Sequence, residues 1–309
     1  MIQFREGPSI GFDPAIPWLM VGEGDVQYVE LQDGKNAQLS LQGGKSASPF
    51  AAIDSDFPVP GANLRVIGIR GLRPGTDVLT ASLPAGGGAV NLAIDVLPER
   101  KLSLWFYRLR DEAGHKTHRT VPDAAAMRDG AHFIHFNQDR VGLVCQGHQD
   151  VVLPGDLGDR PRTSVLFKLL LRLFLKEKLN RHAAQFHVFL VWDMVDDLGF
   201  EPDPAPDPDE DPEPGGLKLP FGLPIPSTTH PLGVTNAKMR SCLIRDFPGN
   251  GADEVLAHEI GHFLTPNLLG AQGHSNNKDN LMRAVGLGGI KLTRDQCRMM
   301  NDRAARVHS

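Results

Sequence analysis

A chain of 309 residues, 41% apolar and 22% charged with a net charge of -5, has the makeup of a folded water-facing protein with room for one large or two ordinary domains. The mild acidity, and the lack of any long basic run interleaved with aromatics, argue against a nucleic-acid partner. The most apolar stretch, 165–175, is cut by Lys168 and Arg172 and is too short for a membrane span.

The first ten residues carry charge and a proline and lead into no apolar run, so no secretory signal is expected. The protein is then expected in the cytoplasm, or exported by a signal-independent secretion system. Cys145, Cys242 and Cys297 are widely spaced, form no CxxC pair and suggest no disulfide framework, which favours a reducing compartment.

Short β-rich runs fill the first hundred residues: 26–31, 37–41, 64–69, 78–83 and 90–97, separated by Gly, Pro, Asp and Asn turns. This spacing predicts an all-β, immunoglobulin-like sandwich over 1–99, a packing or binding module without a catalytic cluster. From 100 to 309 the texture changes. Strands are expected at 102–109, 141–144 and 187–192, with helices following Pro122 and over 164–181, the latter with Leu166, Leu169, Leu170, Leu173 and Phe174 on one face. Alternating strands and helices predict an α/β (α+β) domain with a mixed sheet.

Residues 201–216, EPDPAPDPDEDPEPGG, interrupt this pattern with seven formal negative charges, leaving the remainder slightly positive. Proline alternating with mutually repelling carboxylates reads as a solvated, extended insertion, and the segment lacks the glycine-centred ligand spacing of an EF-hand. A strand at 239–246 precedes a strongly marked helix. The chain closes with another, whose start carries a Thr293/Gln296 capping box.

The strongly marked helix, DEVLAHEIGHFL from Asp253, has acids in its first turn and Pro266 just beyond its end. His258 and His262 stand four apart, one above the other on a single face, about 5–6 Å between Cβ atoms. Two imidazoles at that separation can share one tetrahedral ion. Glu259 stands beside the first ligand, placed to reach an activated water without itself ligating. Zn2+ is the ion this pattern suits.

A third ligand has to come from downstream. No glutamate follows Glu259, leaving His274, Asp279, Asp295, Asp302 and His308. Asp295 and Asp302 belong to the last helix and His308 to the terminus. His274 follows a stretch broken by Pro266, Gly270 and Gly273, which allows the chain to turn back. It is the expected ligand, with Asp279 second. The pairs His115/His118 and His132/His135 lack a neighbouring third partner in sequence and read as surface or core histidines.

HEIGH, then His274, then Asp279-Asn280-Leu281-Met282, resembles the metzincin clan of zinc peptidases. The resemblance extends over about 101–309, with its specific motifs confined to His258–Met282. It implies a zincin-like catalytic domain in which Met282 forms an apolar floor beneath the metal, on a Met-turn. The familiar HExxHxxGxxH spacing would need glycine at 265 and histidine at 268; Thr265 and Leu268 stand there, so the third histidine is displaced by an inserted loop. No tyrosine follows Met282 to assist an oxyanion. By the same likeness, the 239–246 strand is expected to be the sheet edge along which an extended substrate pairs.

The resulting expectation is a zinc metalloendopeptidase acting on protein or peptide substrates, with Glu259 as general base. Two alternatives stay open: a binding or adhesion protein with a structural zinc, and a zinc hydrolase of non-peptide amides.

Overall fold

The computed structural model describes residues 2–5, 12–13, 17–42, 49–84, 87–176, 179, 184–195, 232–247, 251–265, 275, 277, 279–283 and 289–307. The acidic proline-rich insertion 201–216 and His274 lie outside the described residues. Among the described residues the fold is mixed α/β, mostly sheet with four helices.

The N-terminal strands are β1 (Gln3–Arg5), β2 (Phe12–Asp13), β3 (Trp18–Gly22), β4 (Val26–Gln32), β5 (Gln38–Leu41), β6 (Ala51–Pro58), β7 (Leu64–Gly71), β8 (Gly75–Ser82) and β9 (Ala89–Leu97). They build two sheets, ordered β1-β4-β7-β6 and β2-β3-β9-β8-β5. Alternation along β8 turns Asp77, Leu79 and Ala81 inward. Ile67 and Ile69 of one sheet meet Leu79, Leu92 and Ile94 of the other in a common apolar core.

β3 and β6 were not anticipated. β3 reads Trp-Leu-Met-Val-Gly and is buried at every position, so the two-residue period vanishes. Its Leu19 and Val21 face the core between the two sheets. Trp18 and Met20 face the opposite way, into the core of the C-terminal half. β6 has the reverse problem: Ile53-Asp-Ser-Asp offers few apolar residues to alternate.

The C-terminal half contains β10 (Arg100–Asp111), α1 (Val121–Phe136), β11 (Val141–Leu153), α2 (Thr163–Leu175), β12 (Phe186–Val191), β13 (Gly233–Asn236), β14 (Ser241–Arg245), α3 (Ala252–Leu264) and α4 (Arg294–Val307). Its five strands are ordered β11-β10-β12-β14-β13. β11, β10, β12 and β14 pair in parallel, and β13 runs antiparallel to β14 at the edge. The expected mixed sheet is present.

The sheet is covered on both faces. Leu102, Leu104 and Phe106 point toward α1 and α3, while Tyr107 and Leu109 point toward α2. α2 ends at Leu175, short of the expected Arg181, with Lys176 as its C-cap. The buried series Leu166, Leu170, Phe174 has no apolar successor at 178, where a lysine stands.

One expectation is corrected. The strand at 239–246 is β14, which lies inside the sheet between β12 and β13. Among the described residues the edge is β13, whose sequence Gly-Val-Thr-Asn offers a single apolar residue and no readable period.

A buried carboxylate ties the two halves together. Asp95 on β9, 1% exposed, accepts from Trp18 Nε1 at 2.8 Å and Thr76 Oγ1 at 3.0 Å within the N-terminal sheets. From α4 it accepts Arg294 Nε at 2.7 Å, Arg294 Nη2 at 2.9 Å and Arg298 Nη2 at 2.5 Å. Burial alone would raise the Asp95 pKa, but the two guanidinium groups outweigh it and hold the carboxyl below its usual range. Among the described residues no helix is long and apolar enough to cross a membrane.

Candidate metal centre

α3 carries the site. It starts at Gly251, whose φ of 111° is left-handed backbone that suits glycine. Asp253 and Glu254 occupy its positive first turn. Val255, Leu256, Ile260, Phe263 and Leu264 bury three sides of the helix, leaving His258 and His262 on a half-exposed face. Each fully buried aliphatic or aromatic side chain contributes about 1.5–3 kcal/mol. The helix is therefore anchored by its apolar faces, and the histidine face is not needed to hold it.

The two imidazoles converge. His258 Nε2 and His262 Nε2 are 2.9 Å apart, the rings edge to face at 85°. His258 Nδ1 lies 2.6 Å from the carbonyl oxygen of Leu281. A carbonyl can only accept, so Nδ1 carries the proton and Nε2 presents its lone pair, the usual arrangement of a metal-binding histidine with an oriented second nitrogen. Tetrahedral zinc at 2.0–2.1 Å from each imidazole needs nitrogens about 3.3 Å apart, so a separation larger by about 0.4 Å suffices. The donor chemistry fits a divalent ion of the zinc type.

Leu281 belongs to a tight turn. Arg283 N donates to Asn280 O, and Met282 N to Asn280 Oδ1. Asn280, 2% exposed, exchanges amide hydrogen bonds with Gln296 of α4 at 2.9 and 3.2 Å. The capping box expected at Thr293/Gln296 forms, and its glutamine also fixes this turn. Met282 is fully buried, and its sulfur packs so tightly on α3 that any side chain at Gly261 would collide with it. Met282 thus lies against the helix between the two histidines in sequence.

Glu259 is 4% exposed and faces the edge strand. Thr235 Oγ1 lies 2.6 Å from its Oε2 and 2.9 Å from its backbone carbonyl. Gly233 leaves the space that the carboxylate fills: a Cβ there would stand 2.5 Å from Oε1. Burial pushes the Glu259 carboxyl up to about 8, with the Thr235 hydroxyl opposing.

Behind α3, His135 on α1 is fully buried, with Nδ1 2.8 Å from Asp139 Oδ2 and Nε2 3.0 Å from Ala257 O. Both neighbours are acceptors, so both nitrogens bear protons and the ring is a cation. Burial disfavours that charge, but Asp139 outweighs it and the pKa is raised. His135 thereby braces the α3 backbone one residue before His258.

His258 and His262 are therefore brought together, with Met282 against Gly261 between them; the Glu259 carboxylate faces β13 instead and does not lie within 4.8 Å of both imidazoles, and His274 lies outside the described residues. Asp279 is exposed; its amide donates to Asn277 Oδ1 and its carbonyl accepts from Lys291. Among the described residues, three potential ligands with atoms mutually within 4.8 Å occur at one place, Asp111, His115 and Asp156. Asp279 forms no such group with the two histidines.

The Asp111 cluster reads as a loop clasp. The Asp111 carboxylate already accepts from the amides of Gly114, His115 and Leu157 and lies 2.8 Å from His115 Nδ1. Asp156 is 71% exposed. Sequence reading missed this grouping because its parts come from two loops. It also missed Gly233, Thr235 and His135, which bear on Glu259 and α3 from other elements and carry no motif. Asn280 was visible within the DNLM run, but its partner Gln296 was not.

No family model matches the sequence, and no curated protein matches it. Among solved structures, domains 4 and 5 of the S-layer protein SbsC align at 14% identity over 31% of this chain and 50% of that one, TM-score 0.21. A chaperone–substrate complex aligns at 11% identity over 78% of this chain and 43% of that one, TM-score 0.37. Tandem Ig repeats of Dlar align at 12% identity over 34% and 58%, TM-score 0.19. In all three the chain spans less than two thirds of its match, and the similarity is too low to carry an argument.

Proposed function

We infer that the protein is a zinc-dependent endopeptidase of metzincin-like architecture, with His258, His262 and His274 as ligands, Glu259 as general base and Met282 on the Met-turn. The observation that carries this reading is the pair of Nε2 atoms 2.9 Å apart, with the proton of one ring fixed on Nδ1 by Leu281 O. The burial of Met282 against Gly261 supports the Met-turn assignment. Ser275, the next residue in sequence after His274, donates its amide to Met282 O at 2.6 Å, which ties Ser275 to the turn. The immunoglobulin-like description of the N-terminal sheets belongs to the same proposal.

Zinc, when bound, supplies Lewis acidity that polarises a substrate carbonyl and acidifies water. The chain's own groups do the rest. Glu259, as general base, would take a proton from water in its ionised form and pass it to a departing amine. Thr235 orients the carboxylate, and Gly233 leaves room for it. Among the described residues β13 pairs on one side with β14, and its other side would offer backbone groups with which an extended peptide can pair.

The test combines metal content with cleavage. Protein purified without chelators should hold about one zinc per chain. Glu259→Ala should keep the metal and lose cleavage of a mixed peptide library; unchanged cleavage removes Glu259 as the base. His274→Ala should lose zinc where Asp279→Ala keeps it. Zinc retained by Glu259→Ala, with neither variant nor parent cutting any peptide, would point to a structural metal in a binding protein.

A further inference from the structure

The geometry points to a second, separate site: a cationic pocket at the end of β10 that binds a small ligand carrying a pyrophosphate group. The pocket, about 500 Å³, is lined by Arg108, Arg110, Lys116, His118, Arg119 and Thr120, with Asp150 as its carboxylate. That volume is in the range of small-molecule sites. None of its lining residues belongs to the metal centre.

Its charge is unbalanced. Four permanent cations line the pocket with one carboxylate, Asp150, which pairs with Arg108 at 2.7 Å, while Asp246 and Asp123 act on Arg119 from outside the lining. Asp246 stands behind Arg119 at 3.5 Å, but its oxygens accept from Thr117 Oγ1 at 2.8 Å and the His118 amide at 2.6 Å. Arg119, its side chain 15% exposed, therefore has Nε and Nη2 buried without a hydrogen-bond acceptor. Arg108 Nε is in the same position. A planar guanidinium suits a tetrahedral oxyanion, and Arg108, Arg110 and Arg119 each bring one to the lining.

The fold assembles this arrangement from two directions. Arg108 and Arg110 are two apart on β10, so they share the sheet face of Phe106, beyond the apolar core. Residues 112–120 then cross over that face, bringing Lys116 back beside Arg110 through an antiparallel bridge. The crossover ends at Thr120, the N-cap of α1, whose first turn is closed by the Asp123 carboxylate. The Arg119 guanidinium packs over the Phe247 ring at 5.1 Å, which fixes its plane. Two phosphoryl groups bring about three negative charges and several acceptor oxygens to the four cations of the lining. A carboxylate ligand brings fewer charges per volume and fewer acceptors.

The experiment is calorimetric titration of the full-length protein with inorganic pyrophosphate, with ADP and inorganic phosphate as parallel ligands. Pyrophosphate should bind one to one and at least tenfold more tightly than phosphate. Arg119→Gln and Lys116→Gln, the latter at an exposed residue, should each weaken it about tenfold or more, while Lys101→Gln, outside the pocket, should not. Pyrophosphate can also chelate zinc, so His258→Ala is titrated in parallel and should bind as the parent does. The assignment is overturned by no binding at millimolar pyrophosphate, by parental affinity in Lys116→Gln, or by loss of binding in His258→Ala. Failure of these titrations leaves the peptidase reading untouched, because that reading is tested through zinc content and cleavage.

Discussion

Gly233 offers the sharpest probe of the proposed mechanism. A methyl group there would stand 2.5 Å from Glu259 Oε1 and 2.7 Å from its Cγ. Comfortable contact needs about 3.5 Å, so Gly233→Ala displaces the carboxylate by roughly 1 Å. The backbone at 233 is not left-handed, so alanine itself is tolerated. The ligand nitrogens of His258 and His262 are not among the atoms the methyl would meet most closely. A general base misplaced by about 1 Å costs on the order of 100-fold in rate, or about 2.7 kcal/mol of barrier. The variant should therefore retain parental zinc, measured by atomic emission, while its hydrolysis of a quenched peptide library falls about 100-fold. Activity within twofold of the parent, or loss of zinc together with activity, would refute the argument that β13 positions Glu259.

Three further outcomes are expected. Asp95→Asn should lower the unfolding free energy in urea by about 3 kcal/mol, the lower end of the range for breaking a buried ion pair, because Arg294 and Arg298 are 23% and 40% exposed and water recovers part of the loss. Asp95 has a depressed folded pKa, so its stabilisation is complete above the unfolded value of 3.8 and is lost as pH falls through the lower folded value; the difference between parent and variant should shrink in that acid window and stay constant above it. Gly261→Ala forces a methyl onto the Met282 sulfur and should destabilise the fold by about 1–3 kcal/mol, seen as a lower Tm; an unchanged Tm would mean Met282 does not pack there. Zinc at 100 times its Kd should stabilise the chelator-stripped protein by about 2.7 kcal/mol in chemical denaturation, and no shift with added zinc would remove the metal centre.

The pairing of His258 and His262, and the placement of Glu259 between them, follow from helical geometry alone. A four-residue step on a helix with acids at its start and proline beyond its end leaves little freedom. The same local rules gave β10, α1, β14 and α4 within one to three residues of their observed bounds. They failed where burial on both faces erased the period, as in β3, and where an edge strand carried a single apolar residue, as in β13.

What the sequence by itself determined is thus the identity of the candidate ligands and base and the alternation of strand and helix, because these depend on neighbours within a turn or two. Only the tertiary structure decided which strand forms the sheet edge, that Thr235 and Gly233 set the Glu259 carboxylate, and that Leu281 O fixes the His258 proton. The cationic pocket likewise needed the fold, since β10 and the crossover before α1 meet there, and Asp246, 127 positions beyond Arg119 in sequence, stands behind it. Contacts between residues far apart along the chain leave no periodic trace in it, and pKa values, proton positions and pocket charge are all set by such contacts.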